Sequence, residues 1–440
     1  MMLTILVVLL TSNCDWREIT FKRLDQDFDS SLKAGTLDKT KIYYFFSDLH
    51  RGDGGSADYF NPNRKIFSSV LKALYEEKEA DKHAVVVMVG DIEELWAYGY
   101  SLKHGGTYTE KANYLLNPIL NPMLSSRPDD EENIFDWEIK LSQDGRYFRI
   151  YGNHDDYWAV NDNVQRSLLG QNNIEVTPAI SFQFGDEDSQ KIMVTHGCQG
   201  QPLQDVNDYI APLAKEIELR WYYLKRIILK RGERLRPKEL EKTRDSFNKQ
   251  EKYLMEWADK NQIILIVGHT HEPYISKETV EFILEREIRY IRDIELNKIE
   301  KNIVGLEEKF RGLDAKIDAE VYDSTQADIQ YEKVDLENKK TELDFLEKEL
   351  VLRKRRSESL DVEEGYRSNY FNTGCCFASN IITAIKLDYQ GNDWCAQLVS
   401  WDIMEGAEIR DEDSLEEVKE KIIKKPVGDL VILKAERQKG

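Results

Sequence analysis

Five short polar motifs contain the residues of this sequence that could do chemistry. In chain order they are Asp48-Leu-His50, Gly90-Asp91-Ile-Glu-Glu94, Gly152-Asn153-His154-Asp155, His196-Gly197 and Gly268-His269-Thr-His271. They hold five of the seven histidines of the chain, which an arrangement without function would scatter. Carboxylate, imidazole and amide side chains are ligands that suit Mn²⁺, Fe or Zn²⁺ better than Ca²⁺. The motifs therefore predict a site for divalent metal ions.

The spacing within the motifs favours ligands that act in pairs. Asp48 and His50 are two positions apart, so on an extended segment both side chains point to the same side and can bind one ion. His269 and His271 have the same spacing, although a turn there would direct them to different ions. A carboxylate shared by two ions would hold them about 3.5–4 Å apart, which is the arrangement used for phosphoester cleavage.

Each motif follows a short apolar run that is typical of a buried strand. These runs are 41–47, 84–89, 147–151, 191–195 and 262–267. Helical patterns such as 64–80 lie between them, and alternating strands and helices predict an α/β fold. Functional groups of open α/β sheets collect where strands end, as the motifs do here. Strand-like sequence returns at 370–374, 381–387 and 395–401, followed by a predicted helix at 413–424 and an edge strand at 428–434.

Together the five motifs resemble the calcineurin-like metallophosphoesterases, over roughly 41–274 and the strands near 370–402. The family pattern is D-x-H, G-D-x-x-D or -E, G-N-H-D or -E, a lone His, and G-H-x-H. The resemblance implies a sandwich of two mixed sheets flanked by helices, with a dinuclear site along one edge. It implies hydrolysis of a phosphate ester or pyrophosphate in a small phosphorylated substrate. The nucleophile would be a hydroxide that bridges two divalent metal ions, Mn²⁺ first, with Fe or Zn²⁺ as alternatives.

The same resemblance assigns roles to individual residues. The implied ligands are Asp48, His50 and His271 at the first ion, Asn153, His196 and His269 at the second, and Asp91 at both. His154 is implied to face the substrate, where it stabilises charge or protonates the leaving oxygen. Glu94 is implied to orient His154.

One subgroup of the family is closer to this sequence than the family as a whole. Glu94 followed by Trp96, and a helical segment after His196, resemble the bacterial UDP-2,3-diacylglucosamine pyrophosphatases. His154 stands where that subgroup has arginine, and the subgroup lacks a counterpart of residues 277–360. Its lipid substrate is therefore one candidate among several phosphorylated substrates.

Two helical segments interrupt the strands. Residues 203–260 predict helices that break at Gly232 and Pro237. The stretch 225–244 holds nine Lys or Arg against three Glu, which favours either a solvated helix face or a basic cap over an anionic substrate. Residues 277–360 show a coiled-coil pattern, in which apolar residues recur at 299, 303, 306, 310, 313 and 317, and then at 329, 336, 343 and 350. Turn formers at 321–328 predict an antiparallel hairpin, which would self-associate, dock a protein partner or be a simple inserted arm.

The amino-acid composition restricts the classes of protein to which this chain can belong. With 440 residues that are 41% hydrophobic, the chain can fill a large core, so global disorder is excluded. The net charge, 61 − 81 = −20, argues against nonspecific nucleic-acid binding. This charge weighs against a nuclease of the same superfamily, which is the first alternative to a phosphoesterase of small substrates. The second alternative is an inactive coiled-coil interaction protein. The five cysteines are odd in number and form no CxxC pair, which favours reduced thiols.

The predicted organisation has four parts. They are an N-terminal segment 1–40, a core 41–276 that includes the cap 203–260, a hairpin insertion 277–360, and a return to the core at 361–440. Residues 1–10 are apolar apart from Thr4, but they are too few for a membrane span of about 20 residues. Their length fits a signal peptide, yet no Lys or Arg precedes them. We expect a cytoplasmic protein, with export or lipid anchoring through this segment as the alternative.

Overall fold

The computed structural model describes residues 15–51, 60, 63–94, 134–156, 174–184, 191–201, 237–271, 273–275, 285, 288, 292, 296–312, 319–359, 369–376, 381–404, 406–410 and 412–433. Residues 1–14, Trp96 and the cap residues up to 236 lie outside this set, so their predictions stay predictions. The chain divides into two compact units. The first comprises 1–232, 247–276 and 367–440, and the second comprises 233–246 and 277–366.

The described residues form helices and strands at most of the predicted positions. The helices are α1 (Trp16–Ser30), α2 (Arg64–Glu76), α3 (Ile134–Gln143), α4 (Pro237–Asn261), α5 (Asn297–Gly312), α6 (Ala319–Ser359) and α7 (Leu415–Lys421). The strands are β1 (Leu32–Thr36), β2 (Lys41–Phe46), β3 (Lys78–Glu79), β4 (Lys82–Val89), β5 (Tyr147–Ile150), β6 (Val176–Thr177), β7 (Ala179–Gln183), β8 (Lys191–Thr195), β9 (Ile264–Val267), β10 (Tyr370–Asn372), β11 (Ile381–Gln390), β12 (Asp393–Ile403) and β13 (Ile422–Leu433). The strands and helices predicted around the motifs are confirmed, and so is the edge strand.

The strands of the first unit build two mixed sheets. The smaller sheet has the order β1-β7-β8-β9-β10, and the larger one follows β13-β12-β11-β2-β4-β5-β6, with β3 paired to β4. In the larger sheet β2, β4 and β5 are parallel neighbours, whereas β11 and β12 are antiparallel. In the smaller sheet β8, β9 and β10 are parallel, whereas β7 and β8 are antiparallel. The predicted α/β class with two mixed sheets is confirmed.

Aromatic side chains pack the two sheets face to face. The ring of Phe182 on β7 lies 5.7 Å from Tyr43 and 5.6 Å from Phe148, which belong to the larger sheet. On the other face of β2, Phe46 lies 5.3 Å from Phe67 of α2. A strand that is buried on both faces needs a nearly continuous apolar run, and Lys41–Phe46 has one.

Helices cover the outer faces of both sheets. Helices α2 and α3 bury Phe67 and Trp137 against the larger sheet. Helices α1 and α4 bury Phe21 and Trp257 in one cluster with Met193 and other residues of the smaller sheet. The end of the predicted cap, 247–260, thus packs on the outside of this sheet, because Leu254, Trp257 and Ala258 form an apolar face at helical spacing.

The N-terminal part of the chain also belongs to the first unit. Within the predicted N-terminal segment 1–40, α1 packs on the smaller sheet and β1 pairs in parallel with β7, where Leu32 lies opposite Ile180. The four cysteines among the described residues are buried, and none of them forms a disulfide. Nor does any helix of the described ranges have the length and apolarity needed to cross a membrane.

In the second unit, α5 and α6 contact each other. Lys333 Nζ lies 3.0 Å from Glu307 Oε1, and Arg292 pairs with Glu347. Between these two ion pairs the residue number on α6 rises from 333 to 347, whereas the number of the partner falls from 307 in α5 to 292 before it. The two segments therefore run antiparallel. The turn predicted at 321–328 is wrong, because α6 runs through it. The hydroxyls of Ser324 and Thr325 donate to the carbonyl oxygen of Val321, so these turn formers are satisfied inside the helix.

Candidate metal centre

The polar motifs meet because their strands are parallel neighbours. Strands β2, β4 and β5 end at the same edge of the larger sheet, and each is followed directly by one of the first three motifs. Strands β8 and β9 end in the same way in the smaller sheet, before His196 and the pair His269 and His271. The two sheets thus deliver five loops to one place.

Five of the predicted ligands have a left-handed backbone conformation. Asp48, His50, Asp91, His269 and His271 have φ between 49° and 71°, and they are five of the eight non-glycine residues with positive φ in the described ranges. Such backbone is strained for residues with a side chain, and it persists where the surroundings enforce it. Strain is therefore concentrated at this site.

The backbone of the first motif differs from the extended segment that its spacing predicted. Asp48 and His50 do not lie on an extended segment, since their φ angles are 51° and 49°. Hydrogen bonds hold the loop instead: Asp48 N donates to Gly90 O (3.1 Å) and His50 N donates to Asp91 O (2.9 Å). The two side chains converge because this loop turns alongside the next one, not because of strand alternation.

The first ligand cluster contains Asp48, His50 and His271. Asp48 Oδ1 lies 3.2 Å from His271 Nε2 and 3.8 Å from His50 Nε2, and the two ring nitrogens are 3.2 Å apart. Asp48 Oδ1 is buried and accepts no hydrogen bond of acceptable geometry. A buried carboxylate oxygen beside two imidazole nitrogens fits a divalent cation.

The second cluster contains Asp91, Asn153, His196 and His269. His196 Nε2 lies 3.1 Å from Asp91 Oδ2 and 3.1 Å from Asn153 Oδ1. Donor atoms of Asp91, His196 and His269 all lie within 4.8 Å of one another. Asp91 Oδ2 is also 3.8 Å from His50 Nε2, so this carboxylate lies between the two clusters. The structure brings all seven predicted ligands together.

Hydrogen bonds indicate which ring nitrogen of His196 and of His269 can bind a cation. His196 Nδ1 lies 2.9 Å from Val89 O, and a carbonyl oxygen only accepts, so Nδ1 carries the proton and Nε2 faces the cluster. His269 Nε2 is hydrogen-bonded to Gln201 Oε1 in the same way, which assigns Nδ1 to the cluster. Gln201 was missed by the sequence argument, because no spacing rule identifies a glutamine of this kind.

The Glu94 carboxylate hydrogen-bonds to two histidines, whereas the sequence predicted only one, His154. Its Oε1 lies 3.0 Å from His154 Nδ1, as predicted, and its Oε2 lies 2.9 Å from His50 Nδ1. The backbone nitrogen of His154 also donates to Asp91 Oδ1 at 2.8 Å. Donor atoms of His50, Asp91 and His154 form a third close group, which shares two members with the clusters above. The Glu94 carboxylate therefore bonds to a predicted ligand, His50, as well as to His154.

The charges of the cluster are interdependent. Burial alone would raise the pKa of Asp91, but the nearby imidazoles of His196 and His154 hold it well below its usual range. Burial would lower the pKa of His196, whereas Asp91 raises it to about 9. Burial and the proximity of His196 lower the pKa of His269 to about 3. Without a metal ion, His196 is thus protonated near neutral pH and His269 is neutral.

Three motif glycines leave room for the ligands. A Cβ on Gly90 would clash with the ring of His196, and one on Gly152 would clash with the carboxylate of Asp91. A Cβ on Gly268 would clash with Asp48 and Ser47. The glycines of the G-D, G-N and G-H pairs are therefore required by the close approach of the predicted ligands.

We expect the substitution Gly152→Ala to displace Asp91, because the added Cβ would lie 2.6 Å from the backbone nitrogen of that residue. Affinity for Mn²⁺ should fall at least about tenfold, and overpacking should destabilise the fold by about 1–3 kcal/mol. Calorimetric titration and thermal unfolding measure the two effects. Gly305→Ala, at a helix position with open space, is the control that should keep parent affinity. Parent affinity in the Gly152→Ala protein would refute the steric argument.

Comparison of the chain with protein-family models, with curated proteins and with solved structures finds no match. The site itself is a set of buried aspartate and histidine groups that could hold a metal ion.

Proposed function

We propose that this protein is a metal-dependent phosphoesterase with the calcineurin-like metallophosphoesterase fold. It would hydrolyse a phosphate ester or a pyrophosphate in a small substrate. The observation that carries the proposal is the position of Asp91. Its Oδ2 lies 3.1 Å from His196 Nε2 of one cluster and 3.8 Å from His50 Nε2 of the other, as a carboxylate shared by two ions requires.

The donor atoms fit two divalent ions. Asp48, His50 and His271 would hold one, Asn153, His196 and His269 would hold the other, and Asp91 would bind both. Such ions stabilise the charge that develops on a phosphoryl group and acidify a bound water. Mn²⁺ is our first candidate, with Fe or Zn²⁺ as alternatives, since nitrogen and oxygen donors suit all three.

His154 is the residue that we assign to the substrate. Its side chain is 24% exposed, whereas that of His50 is 6% exposed, so His154 lies at the accessible side of the site. Glu94 Oε1 accepts a hydrogen bond from its Nδ1, which directs the ring. In this position His154 would stabilise charge on a phosphoryl oxygen or protonate the leaving oxygen.

Binding of Mn²⁺ should release at least about one proton per chain near pH 7, because His196 must become neutral to act as a ligand. In the metal-free protein its pKa is raised to about 9 from the usual 6.5. Its pairing with Asp91 therefore stabilises the metal-free fold fully below pH 6.5 and is lost as the pH rises through 9. Affinity for Mn²⁺ should rise with pH up to about 9 and level off above that value. Calorimetry in buffers of different ionisation enthalpy measures the release, and an affinity independent of pH would contradict this assignment.

The test of function is a substrate panel run with Mn²⁺, Fe²⁺ and Zn²⁺ separately. It should contain an aryl phosphate, bis-aryl phosphate, mononucleotides, cyclic nucleotides, UDP-sugars and single- and double-stranded DNA. We expect metal-dependent release of phosphate or nucleotide from at least one small substrate, and no cleavage of DNA. Metal analysis should find two ions per chain. Fewer than one ion, with no turnover, would favour an inactive interaction protein.

We also propose that residues 277–360 form a coiled-coil arm for self-association or a protein partner. The support is the antiparallel contact of α5 with α6 and the burial of Ile299, Ile303 and Ile329 at the predicted apolar positions. Light scattering of the full chain distinguishes self-association from a monomer.

A further inference from the structure

Four charged side chains form a buried ionic cluster directly behind the metal-binding loops. They are Arg51, Glu93, Glu138 and Arg149, and none is more than 1% exposed. Glu93 bridges the two arginines: its Oε1 lies 2.6 Å from Arg51 Nη2, and its Oε2 pairs with Arg149 Nη2. Glu138 on α3 is the fourth member, with its Oε2 3.4 Å from Arg51 Nη2 and 4.0 Å from Arg149 Nη1. A further buried carboxylate, Asp155, borders the cluster, with its Oδ2 3.9 Å from Arg149 Nη2.

Three members of this cluster are joined in sequence to the metal-binding loops. Arg51 follows His50, and Glu93 stands between Asp91 and Glu94. Arg149 lies on β5, just before the loop that carries Asn153 and His154. The strands before these loops, β2, β4 and β5, are adjacent in the larger sheet. The carboxylate of Glu93 therefore connects the ends of three neighbouring strands.

Stability alone is a poor explanation for such a cluster. Desolvation of buried charges costs about as much as their attraction returns, so apolar residues would often serve as well. Arginine and carboxylate pairs do offer geometry, because a guanidinium presents its donors in a rigid plane. A carboxylate that binds two guanidinium groups at once fixes their separation, and with it the separation of the loops attached to them.

We propose that Glu93 is a positioning residue, which sets the separation of the two metal ions through Arg51 and Arg149. The inference rests on the proposed function only in that it takes the ligands to bind two ions. The ion pairs of the Glu93 carboxylate described above run to Arg51 and Arg149, not to a predicted ligand. Glu93 acts on His50 through Arg51 and on Asn153 through Arg149. Loss of its charge would remove the carboxylate that both guanidinium groups bind and allow the three loops to move apart.

The test compares Glu93→Gln with a matched control, Asp388→Asn. Asp388 Oδ1 lies 2.6 Å from Lys82 Nζ in an ion pair that is also largely buried. Lys82 begins β4, whereas Asp91 follows its end, so the control lies at the opposite end of the sheet. We expect Glu93→Gln to weaken Mn²⁺ binding by about tenfold to a hundredfold, as other partners of metal ligands do. Asp388→Asn should lower thermal stability without changing Mn²⁺ affinity.

Electron paramagnetic resonance gives a readout of position that folding alone would not move. The parent with two Mn²⁺ ions should show a spin-coupled spectrum, and Glu93→Gln should show altered coupling or isolated ions. If Glu93→Gln fails to fold, Arg149→Lys keeps the charge but loses the planar fork, and it should shift the coupling in the same direction. Parent-like affinity and coupling in a folded variant would overturn the inference and leave the proposed function intact. A parent that binds two ions but hydrolyses no phosphoester would overturn the function, while the comparison of variants still decides the inference.

Discussion

Asp91→Asn should abolish metal-dependent hydrolysis, with a loss in kcat/KM of at least about 1,000-fold, or about 4 kcal/mol of transition-state stabilisation. Asn has nearly the same shape, so the packing around the site is kept while the shared negative charge is lost. Because Asp91 lies between both clusters, one substitution weakens both ion sites. Titration with Mn²⁺ should find fewer than two bound ions, and steady-state assays on the best substrate of the panel measure the rate.

Asp81→Asn is the control for this chemical change. Asp81 is exposed and has φ of 62°, close to the 52° of Asp91, so the same substitution is made on the same kind of backbone. Its activity and metal content should equal those of the parent. If Asp91→Asn retained two ions and parent turnover, Asp91 would not be the shared ligand and the two-ion proposal would fail.

Glu94→Gln should give the second largest loss, with kcat reduced by about 100-fold and Mn²⁺ affinity reduced by about tenfold. Glu94 accepts from His50 through one oxygen and from His154 through the other. An amide has only one acceptor oxygen, so its NH₂ group would face the N–H of one of the two rings. One histidine must then turn or lose its proton. A loss mainly in kcat would indicate that His154 is affected, whereas a loss mainly in Mn²⁺ affinity would indicate His50.

Glu79→Gln is the matched control for Glu94→Gln. Glu79 accepts from Tyr44 and Lys386 at 2.6 Å each, near the beginning of β4 and far along the sheet from the metal loops. This change should alter stability without changing metal affinity or kcat. Parent values of both quantities in Glu94→Gln would show that the carboxylate orients neither histidine.

The strands and their order along the chain followed from short apolar runs. Lys41–Phe46 and Ile264–Val267 are buried on both faces, and sequences of this kind have few alternatives to a central strand. The helical arm was less predictable. Residues 321–328 hold turn formers, but their hydroxyls bond to the helix itself, so the pattern of the neighbouring turns prevails. The end of the predicted cap became an outer layer of the sandwich, because an apolar helix face packs wherever a sheet face is available.

The sequence by itself determined which donor groups stand at the five strand ends, namely aspartate, asparagine and histidine. Only the tertiary structure decided how these atoms meet. The left-handed backbone at Asp48 and His50 depends on hydrogen bonds from another loop, and no local rule contains that partner. The hydrogen bond between His50 and Glu94, and the bridge of Glu93 between two arginines, also depend on the tertiary structure. Both join residues far apart in sequence, and distances between such residues are set by the packing of parallel strands.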